Sequence, residues 1–147
     1  FTITFNQAFG AVVRGCADRE EGTWITADMA AAYTRLHDLG FAHSVEAWYA
    51  GRLAGGVYGV AIGGFFAGES MFHYETDASK AALVGTVQRL RQQGFVLFDT
   101  QMLTLHTYRM GARNISRRDY LQRLGEAVAA RVEFAPRGGR RPRMSEW

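Results

Sequence analysis

The chain has 147 residues, 48% of them hydrophobic, so one core of ordinary size is expected within them, without a second domain. Its single cysteine, Cys16, excludes an internal disulfide, and no apolar run is long enough to cross a bilayer, so a soluble cytoplasmic protein, with a monomer favoured, is expected. The net charge of +3 hides an asymmetry: from Arg113 to Arg143 nine arginines stand against Asp119, Glu126 and Glu133, on a body that is otherwise mildly acidic.

In chain order, Phe1 to Phe5 has the period of a strand, and Asn6 is placed to cap a helix over about Gln7 to Ala17. Thr26 is the expected cap of a second helix that runs to Leu39 and stops at Gly40. Three strands follow, near Ala42 to Tyr49, Leu53 to Ile62 and Phe65 to Phe72. The short steps at Ala50-Gly51 and Gly63-Gly64 predict hairpins and hence antiparallel neighbours. Asp77 or Ser79 opens a long helix ending by Gly94, and Val96 to Thr100 is a strand reached by that crossover, so it should pair in parallel. Leu103 to Met110 and Arg117 to Glu126 read as helices, with Gly111 as a stop and Ser116 as a cap. The expected division is a folded domain over 1–135 and a basic tail over 136–147, whose Gly/Arg/Pro content fits a flexible segment as well as a binding one.

Two segments carry the polar chemistry. Gly68-Glu69-Ser70-Met71-Phe72 and Phe98-Asp99-Thr100-Gln101 place a lone acid, a hydroxyl and an Asp/Gln pair at the ends of apolar strands. Asp99 and Gln101, two residues apart on a strand, would share one face and could together hold an amine; the structural alternative is a strand-end Asp that caps Met102 to Thr104. Glu69 beside Phe65-Phe66-Ala67 must be exposed, hydrogen-bonded or paired, and a salt bridge to Lys80 or an arginine is the competing role. Trp24 and Tyr33 could stack a base or simply fill a core. A basic terminal third is the footprint of a polyanion-binding surface, which makes Arg113, Arg117 and Arg118 candidates for RNA phosphate. The four histidines lack metal-ligand spacing, with His37 and His43 flanking a helix end, and no Gly-Lys-Ser/Thr follows the glycines between Gly51 and Gly68, so neither a metal nor a nucleotide-hydrolysing loop is expected.

These segments, with Asn6-Gln7-Ala8-Phe9-Gly10, Asp18-Arg19-Glu20-Glu21-Gly22-Thr23-Trp24, Gly55-Gly56-Val57-Tyr58-Gly59, Ala78-Ser79-Lys80 and Arg117-Arg118-Asp119-Tyr120, resemble the leucyl/phenylalanyl-tRNA:protein transferase family over most of the chain. The resemblance implies an α+β, acetyltransferase-like (GNAT-like) mixed sheet: an antiparallel meander, a crossover helix and a parallel strand. It implies transfer of leucine, phenylalanine or methionine from aminoacyl-tRNA to the N-terminal Arg or Lys of a protein, which marks that protein for N-terminus-dependent degradation, with no cofactor. Asp99 and Gln101 then match the catalytic positions, and Trp24, Tyr33, Glu69 and Ser70 the anchors of the terminal adenosine and the donor's polar groups. Val57, Phe66, Thr86, Leu90 and Phe98 match the donor side-chain pocket. The family carries bulkier residues at the positions of Val57, Thr86 and Leu90, which implies a roomier or reshaped pocket here. The family's usual N-terminal domain has no counterpart ahead of Phe1. Two other classes compete: an acyl-coenzyme A N-acyltransferase, although Thr76-Asp77-Ala78-Ser79-Lys80 lacks the Gly-rich loop of such enzymes, and an RNA-binding module without catalysis.

Overall fold

A computed structural model describes residues 1–20 and 22–135; Glu21 and the basic stretch from 136 onward, with its expected tail, lie outside the described residues. Five strands form one mixed sheet in sequential order. β1 (Thr2–Phe5), β2 (Ala42–Tyr49), β3 (Arg52–Ile62) and β4 (Phe65–His73) are antiparallel neighbours. The helix α3 (Ala78–Gln93) crosses over to β5 (Leu97–Asp99), which pairs with β4 in parallel. The meander, crossover and parallel strand are therefore as expected.

Side-chain alternation assigns the two faces of the sheet. Val45, Val57 and Phe66 pack beneath Ala82, Leu83 and Leu90 of α3 on one side. Tyr58 and Phe72 point to the other, against α1 (Phe9–Ala17) and α2 (Ala27–Leu39). Burying a Leu such as Leu83 or Leu90 contributes about 1.5 to 3 kcal/mol, so the α3 face holds the sheet firmly.

The ends of α2 follow the sequence: Thr26 Oγ1 accepts from the Met29 N–H at 3.3 Å, and Gly40 closes the helix with φ of 80°. Asn6 does not cap α1. Its φ is 58°, and its Oδ1 accepts from the Ser44 N–H at 3.1 Å, so it ties the end of β1 to β2. The start of α1 is held instead by Glu46, fully buried, which accepts from the Ala8 N–H at 3.2 Å and from the hydroxyls of Thr4 and Ser44. His37 and His43 stand on either side of the α2 end, His37 in its last turn and His43 at the start of β2, stacked on Phe134.

After β5 come a short helix α4 (Leu105–Arg109), capped by Thr104 and shorter than expected, and α5 (Arg117–Ala129), capped by Ser116. α5 docks on the β3–β4 turn, where the Gly64 N–H donates to Ala127 O at 2.7 Å. Gly63 has φ of 55°, and a side chain there would meet Val128 O at 2.4 Å, so only glycine permits the approach. Beyond α5 the chain returns to the core: Phe134 is fully buried and stacks on Phe66 with ring centroids 5.4 Å apart.

Two irregularities shape the region that matters. β4 and β5 pair over only three residues, Phe65 to Ala67 with Leu97 to Asp99, so β4 continues to His73 while β5 has already ended. A cleft opens between them. The β3–β4 register also shifts between Tyr58↔Ser70 and Gly59↔Gly68, leaving Glu69 as the extra residue of a β-bulge. A side chain at Gly59 would fall 2.2 Å from Ala67 O, so glycine is required where the bulged strand closes in.

Candidate active site

The bulge re-aims Glu69 into the cleft. Its Oε2 accepts from the Tyr33 hydroxyl at 2.9 Å and from Gln101 Nε2 at 3.2 Å. The expected alternative, a salt bridge to Lys80, is not formed, because Lys80 pairs with Asp77 at the start of α3. A carboxylate only accepts, so Glu69 fixes the Gln101 amide with its nitrogen inward and leaves Gln101 Oε1 as an open acceptor among the described residues. Burial and the neighbouring Glu69 carboxylate push the Tyr33 phenol well above its ordinary pKa, which keeps it a neutral donor.

Gln101 does not share a strand face with Asp99. β5 stops at Asp99, and Gln101 sits in a turn with φ of 65°. Asp99 Oδ1 accepts from the Gln101 N–H at 2.7 Å, closing an Asx turn that holds this conformation. The other oxygen, Oδ2, accepts from the Tyr120 hydroxyl of α5 at 2.7 Å. That bond, then partial burial, raises the Tyr120 pKa to about 12. Asp99 therefore orients the turn rather than capping Met102 to Thr104, since α4 has its own cap in Thr104. The two residues come together by a local hydrogen bond where strand alternation had been expected to unite them.

Two cavities meet at this turn. The first, about 340 Å³, is lined by Val57, Met71, Leu83 and Phe98 on its apolar side and by Glu69, Ser70 and Gln101 on its polar side. Trp24 and Arg19 also border it, with Trp24 half exposed and edge-on to Tyr33 at 6.4 Å. Arg19 donates to Ser70 Oγ at 3.1 Å, which orients the hydroxyl. The second cavity, about 570 Å³, is lined by Asp99, Arg113, Arg117, Tyr120 and Arg123, and shares Phe98, Thr100, Gln101 and Met102 with the first.

The candidates thus divide. Trp24, Glu69, Ser70, Val57, Phe98 and Gln101 surround one cavity, with Tyr33 tethered to Glu69. Phe66, Thr86 and Leu90, matched to the pocket wall, line neither cavity; they are buried in the core behind Val57 and Phe98, with the Thr86 hydroxyl donating to Ala82 O at 2.9 Å. Arg113 and Arg117 line the second cavity, whereas Arg118 points into solvent beside Asp119. Arg19, Leu83, Tyr120 and Arg123 were not singled out from sequence; three-residue spacing along one helix face, from 117 to 120 to 123, is the signal that would have joined the last two to Arg117. Among the described residues no group of three His, Cys, Asp or Glu side chains could share a metal ion, and no helix is long and apolar enough to cross a membrane.

Solved structures share the architecture. A ribosomal-protein-alanine N-acetyltransferase from Brucella melitensis biovar Abortus 2308 superposes with a TM-score of 0.57 at 10% identity, covering 78% of this chain and 92% of that one. An aminoglycoside acetyltransferase from an uncultured soil metagenomic sample gives 0.56, also at 10% identity, covering 79% and 92%. Such distances establish the acetyltransferase fold and nothing of the chemistry. In sequence, the leucyl/phenylalanyl-tRNA–protein transferases of Syntrophobacter fumaroxidans and Cereibacter sphaeroides are each 53% identical, over 87% and 94% of this chain and 56% and 64% of their own lengths. That of Stutzerimonas stutzeri is 46% identical over 100% of this chain and 62% of its own. The chain spans less than two thirds of the length of these relatives. The family model described as leucyl/phenylalanyl-tRNA protein transferase matches residues 1–125, and the chain belongs to that family.

Proposed function

We propose that this chain is the acyl-transfer domain of an aminoacyl-tRNA:protein transferase, which moves leucine, phenylalanine or methionine from the 3′ end of tRNA to the amine of an N-terminal Arg or Lys on a protein. The observation that carries the reading is an apolar-walled cavity whose polar rim, Glu69 and Gln101, abuts the tethered carboxylate of Asp99. The donor side chain lies against Val57, Leu83 and Phe98, with Phe66, Thr86 and Leu90 setting the wall from behind. The terminal adenosine stacks on Trp24, with Tyr33 behind it, and base stacking of this kind is worth roughly 1 to 3 kcal/mol. Glu69 and Ser70 hold the donor's amino group and ribose. Arg113, Arg117 and Arg118, with the basic carboxyl-terminal stretch, attract tRNA phosphate.

The reaction is aminolysis of an ester. The acceptor nitrogen attacks the carbonyl carbon, the new C–N bond forms, and the C–O bond to the ribose breaks as the amine proton passes to the ribose oxygen. An α-amine with a pKa of about 7.7 to 8.0 is already substantially unprotonated near neutrality. Placement is the larger requirement, worth roughly 7 to 11 kcal/mol when the reacting atoms are aligned. Gln101 Oε1 accepts a hydrogen bond from the amine, and Asp99 stabilises its positive charge as the bond forms. Ester aminolysis consumes no cofactor. The product carries a bulky apolar N-terminus, a mark for N-terminus-dependent degradation in the cytoplasm.

The acyl-coenzyme A reading is disfavoured by the entrance to α3, where Asp77 and its ion pair with Lys80 occupy the helix start. A pyrophosphate there requires open N–H donors and no carboxylate. Binding measured in parallel with leucyl- or phenylalanyl-tRNA, uncharged tRNA and acetyl-coenzyme A decides among the readings. Preference for the charged tRNA is expected; saturable acetyl-coenzyme A binding overturns the proposal, and equal affinity for charged and uncharged tRNA leaves only an RNA-binding module.

A further inference from the structure

The donor cavity is bordered by one charged group that the reaction above does not use. Arg19 and Trp24 reach its rim from the same loop between α1 and α2, which is wound by a bond from the Gly22 N–H to Arg19 O at 3.2 Å and pinned by buried Ile25. Gly22 has φ of 90°, a conformation that favours glycine. The Arg19 guanidinium is tied down although the residue is exposed: Nε donates to Cys16 O at 3.1 Å, and Nη2 to Ser70 Oγ at 3.1 Å and Met71 O at 3.4 Å. Every guanidinium N–H is a donor, so the pair on Nη1 stays open among the described residues. No carboxylate among those residues pairs with it; their ion pairs join Lys80 to Asp77 and Arg118 to Asp119. Nε and Nη2 suffice to fasten the end of α1 to β4, and Nη1 is left over.

We propose that Arg19 binds the 5′ phosphate of the donor's terminal nucleotide, so that the smallest good donor is a nucleotide and not a nucleoside. The inference rests on the transferase reading. A terminal aminoacyl-nucleotide carries a positive amine at its acyl end and a negative phosphate on the far side of its ribose. The site is charged in the matching order: the Glu69 carboxylate lies beside Gln101, and the Arg19 guanidinium lies beyond Ser70. Ser70 joins the two, since it follows Glu69 in the chain and its hydroxyl accepts from Arg19. A ribose held at Ser70 therefore has its phosphate on the Arg19 side. Trp24 comes from the same loop, so base and phosphate are read by one segment of chain. A guanidinium suits the task because it keeps its charge and donates in a plane. The bonds to Cys16, Ser70 and Met71 already restrain the side chain, so little further ordering is needed when a phosphate arrives.

The test is calorimetric titration of the full chain with two hydrolysis-resistant donors: 3′-leucylamido-3′-deoxyadenosine, and its 5′-methyl phosphate, which carries the single charge of a phosphodiester. The phosphorylated compound should bind about fivefold tighter, the upper range for one exposed ion pair, and its advantage should shrink as salt is raised. Arg19→Gln should bring the ratio of the two affinities to about one, and Arg19→Lys should keep part of it. The ratio separates the roles. If Arg19 only holds Ser70 in place, Arg19→Gln weakens both compounds by the same factor and the ratio persists, which overturns the inference. Equal affinity for the two compounds in the unaltered protein overturns it without any variant. Failure of the transferase reading looks different: neither compound binds, or charged and uncharged tRNA bind alike, and the inference falls with it.

Discussion

The two cavities that meet at Gln101 are built by different means. The smaller one is walled by regular elements: Val57 on β3, Met71 on β4 and Leu83 on α3, all anchored in one packed core. The larger one is walled by the turn after β5, a five-residue α4 and the first turns of α5, where Met102 is 71% and Leu105 65% exposed. A wall that must distinguish apolar side chains by shape gains from close packing, because added methylenes have nowhere to go. A wall that must orient an amine needs polar groups at set angles, and here side-chain-to-backbone bonds supply them: Asp99 to the Gln101 N–H, and Thr104 to Thr107 across the α4 cap. On the proposed reading, selectivity for the donor is thus a property of the core, and chemistry a property of a tethered turn.

The sharpest way to break this division is at the turn. Asp99→Asn and Gln101→Ala should each lower turnover tenfold or more, at least about 1.4 kcal/mol, while leaving donor binding intact. Their effects should be less than additive, because both act on one amine. Raising the pH should rescue either only in part, since deprotonation does not restore placement; complete rescue would reduce the pair to simple proton removal. On the donor side, Trp24→Ala should weaken an aminoacyl-adenosine mimic by about 1 to 3 kcal/mol. The half-exposed indole makes loss of folding a poor rival explanation, and calorimetric titration of a folded variant would expose an unchanged affinity if the base stacks elsewhere.

Within the apolar wall, Val57→Met should move the ratio of phenylalanyl to leucyl transfer toward leucine by roughly 1 kcal/mol, as overpacking excludes the larger ring. Thr86→Phe should instead cost stability, visible as a lower melting temperature, because Thr86 is fully buried in α3. A smaller effect is expected of Tyr33→Phe, which removes one donor to Glu69, about 1 kcal/mol in donor affinity. Tyr120 offers a pH test of the tether. Its pKa is raised to about 12, so the fold favours the neutral phenol. That stabilisation is fully present below the unfolded value near 10 and is lost as pH rises through 12. Ultraviolet titration should show one phenol near 12 that vanishes in Tyr120→Phe; a spectrum without that change would detach Tyr120 from Asp99.

Much of the architecture was legible because it rests on local signals. Thr26 and Gly40 bound α2, the Ala50-Gly51 and Gly63-Gly64 steps turn the hairpins, and the crossover helix forces β5 into parallel pairing. Asn6 misled because the residue that suits a helix cap also suits a left-handed turn, and only the partner strand decides between them. The bulge at Glu69 was hidden for the same reason: register is a property of two strands, and β4 alone does not reveal which residue is extra. The polar candidates Glu69, Asp99 and Gln101 were found at their place in the chain, yet the Asx turn that unites the last two could not be read from a period of two. Thr86 and Leu90 could not be separated from Val57 and Phe98 by hydrophobicity, since a pocket wall and the layer behind it are equally apolar. Phe134, a lone aromatic after α5, gave no periodic signal at all.

The most direct measurement is the mass of an Arg-initiated peptide after incubation with this protein and leucyl-tRNA. The peptide should gain one leucyl residue on its α-amine, only when the tRNA is charged, and to the same extent whether or not acetyl-coenzyme A is present. A peptide that stays unchanged with leucyl- and phenylalanyl-tRNA but becomes acetylated once acetyl-coenzyme A is added would contradict the aminoacyl-transfer reading outright.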